Sequence, residues 1–432
     1  MPENVKNHHF TVVIPTRERC DTFEHALHTC VIQDYDNLEI LVSDNFSKDR
    51  TREIVEISKD SRIRYINTGK RLSMTGNFEF ALSHVRPEGY VIYIGDDDGL
   101  LPNALKDINT IINQTGVSVL RWDVATYNWP TLVGDSNANQ LYVPLRSGIN
   151  KRDSAAEIQN VISCRKPYQV LPIMYMYSAI DFNAIEKIKS NSGYFYHSLT
   201  PDVYSGFALA GAVNSFIDSK RPYTIAGCSH NSIGASSLGI SNSSKAWDEY
   251  SKEDNIPFHA DLVKCLNLTE YVIECFLQAR DHLPYFQMFT LDMENLFCKM
   301  MQEVSNRPES TYMETKDAVI KMGEMHGIPK AAHSAIAANP FRSTRSRRAL
   351  TIGNLGRVGF HVARSCMTEF FKGGFYIDCA SFGVKNIYDA SLLCHHILKL
   401  KEMSLLSSTA VPKSILSNMK NTLLPKLHAS QE

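Results

Sequence analysis

The ten cysteines of this 432-residue chain include no C-x-x-C pair, and no Cys and His cluster at zinc-ligand spacing. This excludes a disulfide-stapled or zinc-built scaffold and fits reduced thiols used as core filler. Charge of one sign is also missing, since 45 Lys and Arg face 46 Asp and Glu. No nucleic-acid partner is expected, and recognition of a charged ligand must be local. No apolar run approaches the ~20 residues of a membrane span, and Met1–Lys6 lacks the apolar segment of a signal peptide. The expected location is the cytoplasm, with peripheral contact at the inner face of the membrane as an option. No G-x-G-x-x-G follows the first apolar run, which argues against a dinucleotide-binding dehydrogenase. Internal repeats are absent too.

What is present is an alternation of short apolar runs with segments of helical period, the pattern of an α/β domain with a mainly parallel sheet. Phe10–Pro15, Leu38–Ser43, Ile63–Asn67, Tyr90–Ile94 and Val117–Trp122 read as strands. Between the first two, Phe23, Ala26, Leu27, Cys30 and Val31 form one helical face, with Asp21 and Glu24 at the spacing of a capping box. The region from Tyr127 to Ser244 is less periodic and ends in a Gly/Ser/Asn-rich stretch from Gly227 that reads as a loop. Beyond it, Leu268, Val272, Cys275, Phe276 and Ala279 share a helical face, as do Phe286, Phe289, Met293, Leu296, Phe297, Met300 and Val304. The expected organisation is an α/β domain over 1–244, with halves 1–125 and 126–244, followed by a mainly helical region over 245–432.

Asp96, Asp97 and Asp98 follow the fourth of these strands directly. Three carboxylates at one strand end repel one another, and desolvating them costs several kcal/mol in order of magnitude unless water or a cation stands against them. Hard oxygen ligands of this kind suit Mg²⁺ or Mn²⁺, ions that share their shell with substrate phosphates. The bland reading is a solvated acidic turn. Against it stands the company the triplet keeps. Ligands of open α/β sheets bind beyond the carboxyl ends of the strands, and Thr16, Arg17, Asp44 and Asn45 occupy two further strand ends.

The ordered set Val12-Val13-Ile14-Pro15-Thr16-Arg17, then Gln33 to Asn45 ending in Glu39-Ile40-Leu41-Val42-Ser43-Asp44, then Ser47, Asp49 and Thr51, resembles glycosyltransferase family 2. The triplet then falls at that family's DxD position, and these motifs cover roughly the first quarter of the chain. The resemblance implies a GT-A fold, Rossmann-like and mixed, that binds a nucleotide-diphosphate sugar and Mn²⁺ or Mg²⁺, with a UDP-sugar favoured. By position, Pro15, Thr16, Arg17 and Asp44 are implied at the nucleoside, Asp96 and Asp97 at the ribose or a metal-bound water, and Asp98 with Asp96 at the metal. Each has a structural alternative: Thr16 as a turn cap, Arg17 as a solvated charge, Asp44 in an Asx turn with Ser47. The middle acid departs from the DxD pattern, so the division between Asp97 and Asp98 stays open.

Transfer to a hydroxyl needs a carboxylate base, and Asp202, after Pro201 and well downstream of the triplet, is the candidate. Its alternative is a helix cap before Phe207, Ala208 and Gly211. Asp181 reads as a plain helix cap. His230 is a candidate for the metal shell or the diphosphate, and the loop around it for a lid that excludes water. A run with Arg342, Arg345, Arg347, Arg348, Arg357 and Arg364 and interleaved apolar residues has the composition of a segment that lies on an anionic membrane. The function expected is a metal-dependent inverting glycosyltransferase of surface polysaccharide or glycoconjugate synthesis, with a glycan or lipid-linked acceptor. The alternatives are a sugar nucleotidyltransferase, weakened by the absence of glycine in Pro15-Thr16-Arg17-Glu18-Arg19, and a non-catalytic scaffold that binds nucleotide sugars or glycans.

Overall fold

The computed structural model describes residues 5–132, 138–230, 253, 256–342 and 373–403. Its spine is an eight-stranded sheet of order β3-β2-β1-β4-β10-β6-β11-β9. The strands are β1 (Phe10–Thr16), β2 (Leu38–Asp44), β3 (Ile63–Asn67), β4 (Tyr90–Tyr93), β6 (Val119–Trp122), β9 (Ile149–Asp153), β10 (Ser178–Asp181) and β11 (Ser215–Ser219). All run parallel except β10 and β9. The apolar runs β1, β2 and β4 are buried along their whole length, as central parallel strands must be. The expected mixed, mainly parallel α/β sheet is present.

Helices cover both faces. On one side α1 (Cys20–Val31) and α4 (Ala104–Thr115) bury Phe23, Leu27, Leu105 and Ile108 against Val12, Ile14, Ile40 and Ile92. On the other, α3 (Met74–Ser83), α5 (Ser154–Ile162), α6 (Phe182–Ser192) and α7 (Pro201–Ala212) share a core with the helical region. The short α2 (Thr51–Ser58) lies in the connection from β2 to β3. The capping box expected at Asp21 and Glu24 does not form. Helix α1 starts one residue earlier, at Cys20, its N-cap Arg19 makes no side-chain cap, and the Cys20 N–H donates instead to Asp49 Oδ2 at 2.8 Å. The cap comes from the neighbouring loop, which sequence spacing within the helix does not reveal. Asp181 caps α6 as expected, accepting from the Asn183 N–H at 2.8 Å.

A second sheet, order β13-β8-β7-β12-β5, stands beside the first: β5 (Gly99–Leu100), β7 (Ala125–Asn128), β8 (Gln140–Pro144), β12 (Thr224–Cys228) and β13 (Gly374–Asp378). Gly227 and Cys228, read from composition as the start of a loop, are therefore strand; the residues from 231 to 252 lie outside the described ones. Among the described residues after 245, helices α8 (Leu268–His282), α9 (Met293–Val304), α10 (Glu309–Met325) and α11 (Pro329–Ala338) follow one another. Phe286 and Phe289 do not continue the α9 stripe. Pro284 opens a 3-10 turn over Pro284–Met288, and those two rings join an aromatic cluster with Phe207 and Phe276. The chain then returns: β13 pairs with β8, and α12 (Ile387–Glu402) packs on α1 and the second sheet, with His28 stacked on Tyr388 at 4.1 Å between ring centroids. Residues 374–402 thus pack back onto elements of the amino-terminal half. The arginine run from Arg345 to Arg364 is outside the described residues, and Arg342 is exposed. Among the described residues no helix is long and apolar enough to cross a membrane.

Candidate functional site

The β1–β4 ladder ends at Val13↔Tyr93, while β1 stays paired with β2 through Thr16↔Asp44. Pro15, which has no N–H to donate, sits just past the point where β4 leaves. The parting of β1 and β4 opens the crevice, and the triplet turns into it. All three carboxylates are buried, at 2–5% exposure, so they are not the solvated turn of the bland reading.

The chain itself answers their charge. Asp96 accepts from Thr16 Oγ1 at 2.9 Å and pairs with Arg19 at 3.0 Å. Burial pushes the Asp96 carboxyl up, and Arg19 works against that push. Asp97 takes the Ser229 hydroxyl at 2.7 Å on Oδ2, and its backbone carbonyl takes the Trp129 indole N–H at 3.0 Å. Asp98 accepts the Gly95 N–H at 2.8 Å on Oδ2, the Gly227 N–H at 2.7 Å on Oδ1, and the Tyr175 hydroxyl. Burial first, and the neighbouring Asp97 second, raise the Asp98 carboxyl above the ordinary range.

Two glycines make this closeness achievable. A Cβ on Gly227 would lie 1.8 Å from the Asp97 carbonyl oxygen, and one on Gly95 would lie 2.2 Å from the Tyr175 hydroxyl. Only hydrogen fits at either place.

Asp44 is buried and already engaged. Ser47 N–H donates to its Oδ1 at 2.8 Å, Asn67 Nδ2 to its Oδ2 at 3.0 Å, and the Tyr65 hydroxyl also to Oδ2. The Asx turn weighed as its alternative is present; Oδ2 already accepts twice, and Oδ1, which accepts once, keeps a second lone pair for a ligand. Arg17 pairs with Glu253 at 2.8 Å, and Arg71 contacts the same carboxylate. The loops after β1 and β2 are tied together: Glu18 N–H donates to Ser47 Oγ at 2.9 Å and Lys48 N–H to Glu18 Oε1 at 2.7 Å, with Glu18 and Phe46 both in the left-handed region. Asp202 occupies the first turn of α7 but is not its cap; Thr200 is. Burial raises its carboxyl, and the Tyr177 hydroxyl is within electrostatic reach of both Asp202 and Asp98. His230 is exposed, one residue after the Ser229 that holds Asp97.

The structure therefore brings together Thr16, Asp96, Asp97 and Asp98, places Asp44 at the adjoining strand end, and puts Asp202 in the first turn of α7. It does not place His230 in a ligand cluster: among the described residues, no three His, Cys, Asp or Glu converge to ligate an ion. One or two carboxylates with substrate phosphates satisfy Mg²⁺ or Mn²⁺ without an all-protein cage, so the donor set still fits such an ion. Sequence reasoning missed Arg19, Tyr175, Tyr177 and Trp129. Arg19 had a signal, a cation one turn from the strand end that carries Arg17. The others come from distant segments with no local motif.

This mainly parallel α/β domain gathers carboxylates at the ends of β2 and β4, beside Thr16 and Arg17 at the end of β1. Residues 11–168 match the family model of glycosyl transferase family 2, and this segment belongs to that family. A curated relative, GalNAc(5)-diNAcBac-PP-undecaprenol beta-1,3-glucosyltransferase of Campylobacter jejuni, is 35% identical over 107 residues, 24% of this chain and 34% of that enzyme. The match thus spans about a third of the relative's length. Among solved structures, S. aureus TarS 1-349 in complex with UDP-GlcNAc aligns with TM-score 0.45 and 14% identity over 77% of this chain and 93% of that one. The mannosyltransferase PcManGT from Pyrobaculum calidifontis, in complex with GDP-Man and Mn²⁺, aligns with TM-score 0.36 and 13% identity over 78% and 89%.

Proposed function

We propose that this protein is a metal-dependent inverting glycosyltransferase that moves a sugar from a nucleoside-diphosphate donor, a UDP-sugar first, to a hydroxyl acceptor. The observation that carries the reading is the Thr16–Asp96 hydrogen bond at 2.9 Å, which joins two strand ends of the family 2 segment in one buried acidic crevice. Asp44 and Thr16 offer acceptors to the nucleoside. Asp98 and Asp96 are the residues that would hold Mn²⁺ or Mg²⁺ together with substrate phosphates, an ion that when bound supplies Lewis-acid neutralisation of the leaving diphosphate. Arg19 supplies a permanent positive charge beside it.

Asp202 is the base. It takes the acceptor hydroxyl's proton as that oxygen bonds to the anomeric carbon and the bond from that carbon to the diphosphate oxygen breaks, which inverts the anomeric centre. Burial that raises a carboxyl makes it a better base than a solvated aspartate. A lipid-linked or glycan acceptor in surface-glycan synthesis is proposed from the match to the Campylobacter enzyme, whose own name specifies an undecaprenol-diphosphate substrate. Peripheral membrane contact is proposed for the arginine run on composition alone.

The test is a thermal-shift screen of UDP-, GDP-, CMP- and dTDP-sugars with and without Mn²⁺. A donor at a hundred times its Kd adds about 2.7 kcal/mol of apparent stability. A Mn²⁺-dependent shift with one nucleotide class, followed by transfer to an acceptor, is the expected result; no shift with any donor moves the assignment to a scaffold.

A further inference from the structure

Between α5 and β10 the chain makes a turn at Met174–Tyr177 whose backbone is unusual. Tyr175 has φ −73° and ψ 115°, and Met176 has φ 68° and ψ −26°. These are the angles of a type II turn, in which the third position is normally glycine because a Cβ there meets the adjacent carbonyl. Methionine occupies it here. A non-glycine residue in that region persists only where its surroundings over-determine it, and such positions gather at functional sites.

Contacts from several segments hold the turn. The Met176 carbonyl accepts from Trp122 Nε1 at 2.9 Å, on β6, and from Thr224 Oγ1 at 2.6 Å, on β12. The Met176 side chain is buried at 1% exposure. The Met174 N–H donates to Ser205 Oγ at 3.0 Å, and that hydroxyl donates in turn to the Asp202 carbonyl at 2.6 Å. On the opposite side the Tyr175 hydroxyl donates to Asp98, and its ring lies 6.0 Å from that of Phe78. Arg121 stands over the Tyr177 ring at 5.8 Å.

One strained turn is thus bonded at one end to the triplet and at the other to the helix that carries Asp202. We propose that the Tyr175–Met176–Tyr177 turn is the positioning device of the site, fixing the Asp98 carboxylate and the Asp202 backbone in one rigid frame, with Tyr175 and Thr224 as positioning residues. It rests on the transferase reading above. The reacting groups sit on separate segments, β4 and α7, and misplacement of one against the other by about 1 Å costs on the order of a hundredfold in rate.

The test compares Tyr175→Phe, Thr224→Val and Thr224→Ser, measuring transfer kinetics, donor-induced thermal shift and melting temperature. Tyr175→Phe keeps the ring packing and removes the hydroxyl. The expected result is a kcat lower by roughly tenfold to a hundredfold for Tyr175→Phe and Thr224→Val, with donor KM within about twofold. Thr224→Ser, which keeps the hydroxyl, should stay near the wild-type rate. A Tyr175→Phe enzyme with wild-type kcat, or a Thr224→Ser enzyme as slow as Thr224→Val, overturns the proposal. Wild-type protein that binds no donor and transfers no sugar removes the transferase reading and this inference with it.

Discussion

The Gly227 N–H donates to Asp98 Oδ1 at 2.7 Å across 129 residues of sequence. This bond ties β12 of the second sheet to the acidic turn that follows β4. Gly227→Ala would drive a Cβ to 1.8 Å from the Asp97 carbonyl oxygen, a backbone atom that cannot swing aside. We expect a loss of about 1–3 kcal/mol in stability from the forced backbone shift, read by denaturant melts, and little residual transfer. Retention of full activity would show that the two sheets are not coupled at this point.

Arg19 is the cation beside Asp96, at 3.0 Å and with 21% of its side chain exposed. Arg19→Met leaves that carboxylate buried without its partner. Removing one member of a fully buried pair costs about 3–5 kcal/mol, and the partial exposure here reduces that to roughly 1–3. Donor affinity should fall as well, because three carboxylates then repel the diphosphate with no compensating charge. Calorimetric titration with UDP and Mn²⁺ measures the second effect separately from the first.

Asp202→Asn should reduce kcat by about 10²–10⁴ while donor binding is retained, since the amide cannot take a proton. The pH profile supplies the sign. Burial raises the Asp202 carboxyl above the ordinary aspartate value, and a base must be ionised, so the rate should climb with pH through that raised value and level off above it. A wild-type rate that is flat from pH 4 to 7 would remove Asp202 from the role.

Glu270, on α8, gives a test that does not involve the site. Its carboxyl is buried, pushed up to about 8 by desolvation, and accepts from the Cys265 N–H at 2.9 Å on Oε2. A folded-state value above the unfolded one means that the fold prefers the protonated acid. The penalty is absent below about pH 4, grows as pH rises, and is complete near pH 8. Glu270→Gln mimics the protonated form, so it should stabilise the protein by a few kcal/mol at most at pH 8 and have little effect at pH 4.5. Melting curves of both proteins across that range decide it; an equal difference at both pH values contradicts the assignment.

Much of the amino-terminal half was legible. The strands at Phe10, Leu38, Tyr90 and Val119 are where the apolar runs put them, because a central strand of such a sheet buries both faces and leaves an apolar signature, while Ile63–Asn67, part-buried at the sheet's edge, carries a weaker one. The acidic triplet was legible as a candidate site for the same reason: three carboxylates directly after such a strand are drawn into the interior with it, and all three are buried. What was illegible was everything supplied from afar. Trp129, Ser229 and Gly227 reach the triplet from residues 127–229, and each is a single residue on a strand or bend with no motif around it. The Gly/Ser stretch beginning at Gly227 has the composition of a loop, and at Gly227 and Cys228 the local propensity was overridden by pairing with β7.

The sequence by itself determined the parallel core, the order of the strand ends, and the acidic and Thr/Asp chemistry collected there, because these follow from local periodicity and from residues adjacent in the chain. Only the tertiary structure decided which partner answers each carboxylate, and that residues 374–402 close back onto the first helix. Those are contacts between segments tens to hundreds of residues apart, and the free energy that selects them comes from burial and hydrogen-bond satisfaction in three dimensions, which no local pattern encodes.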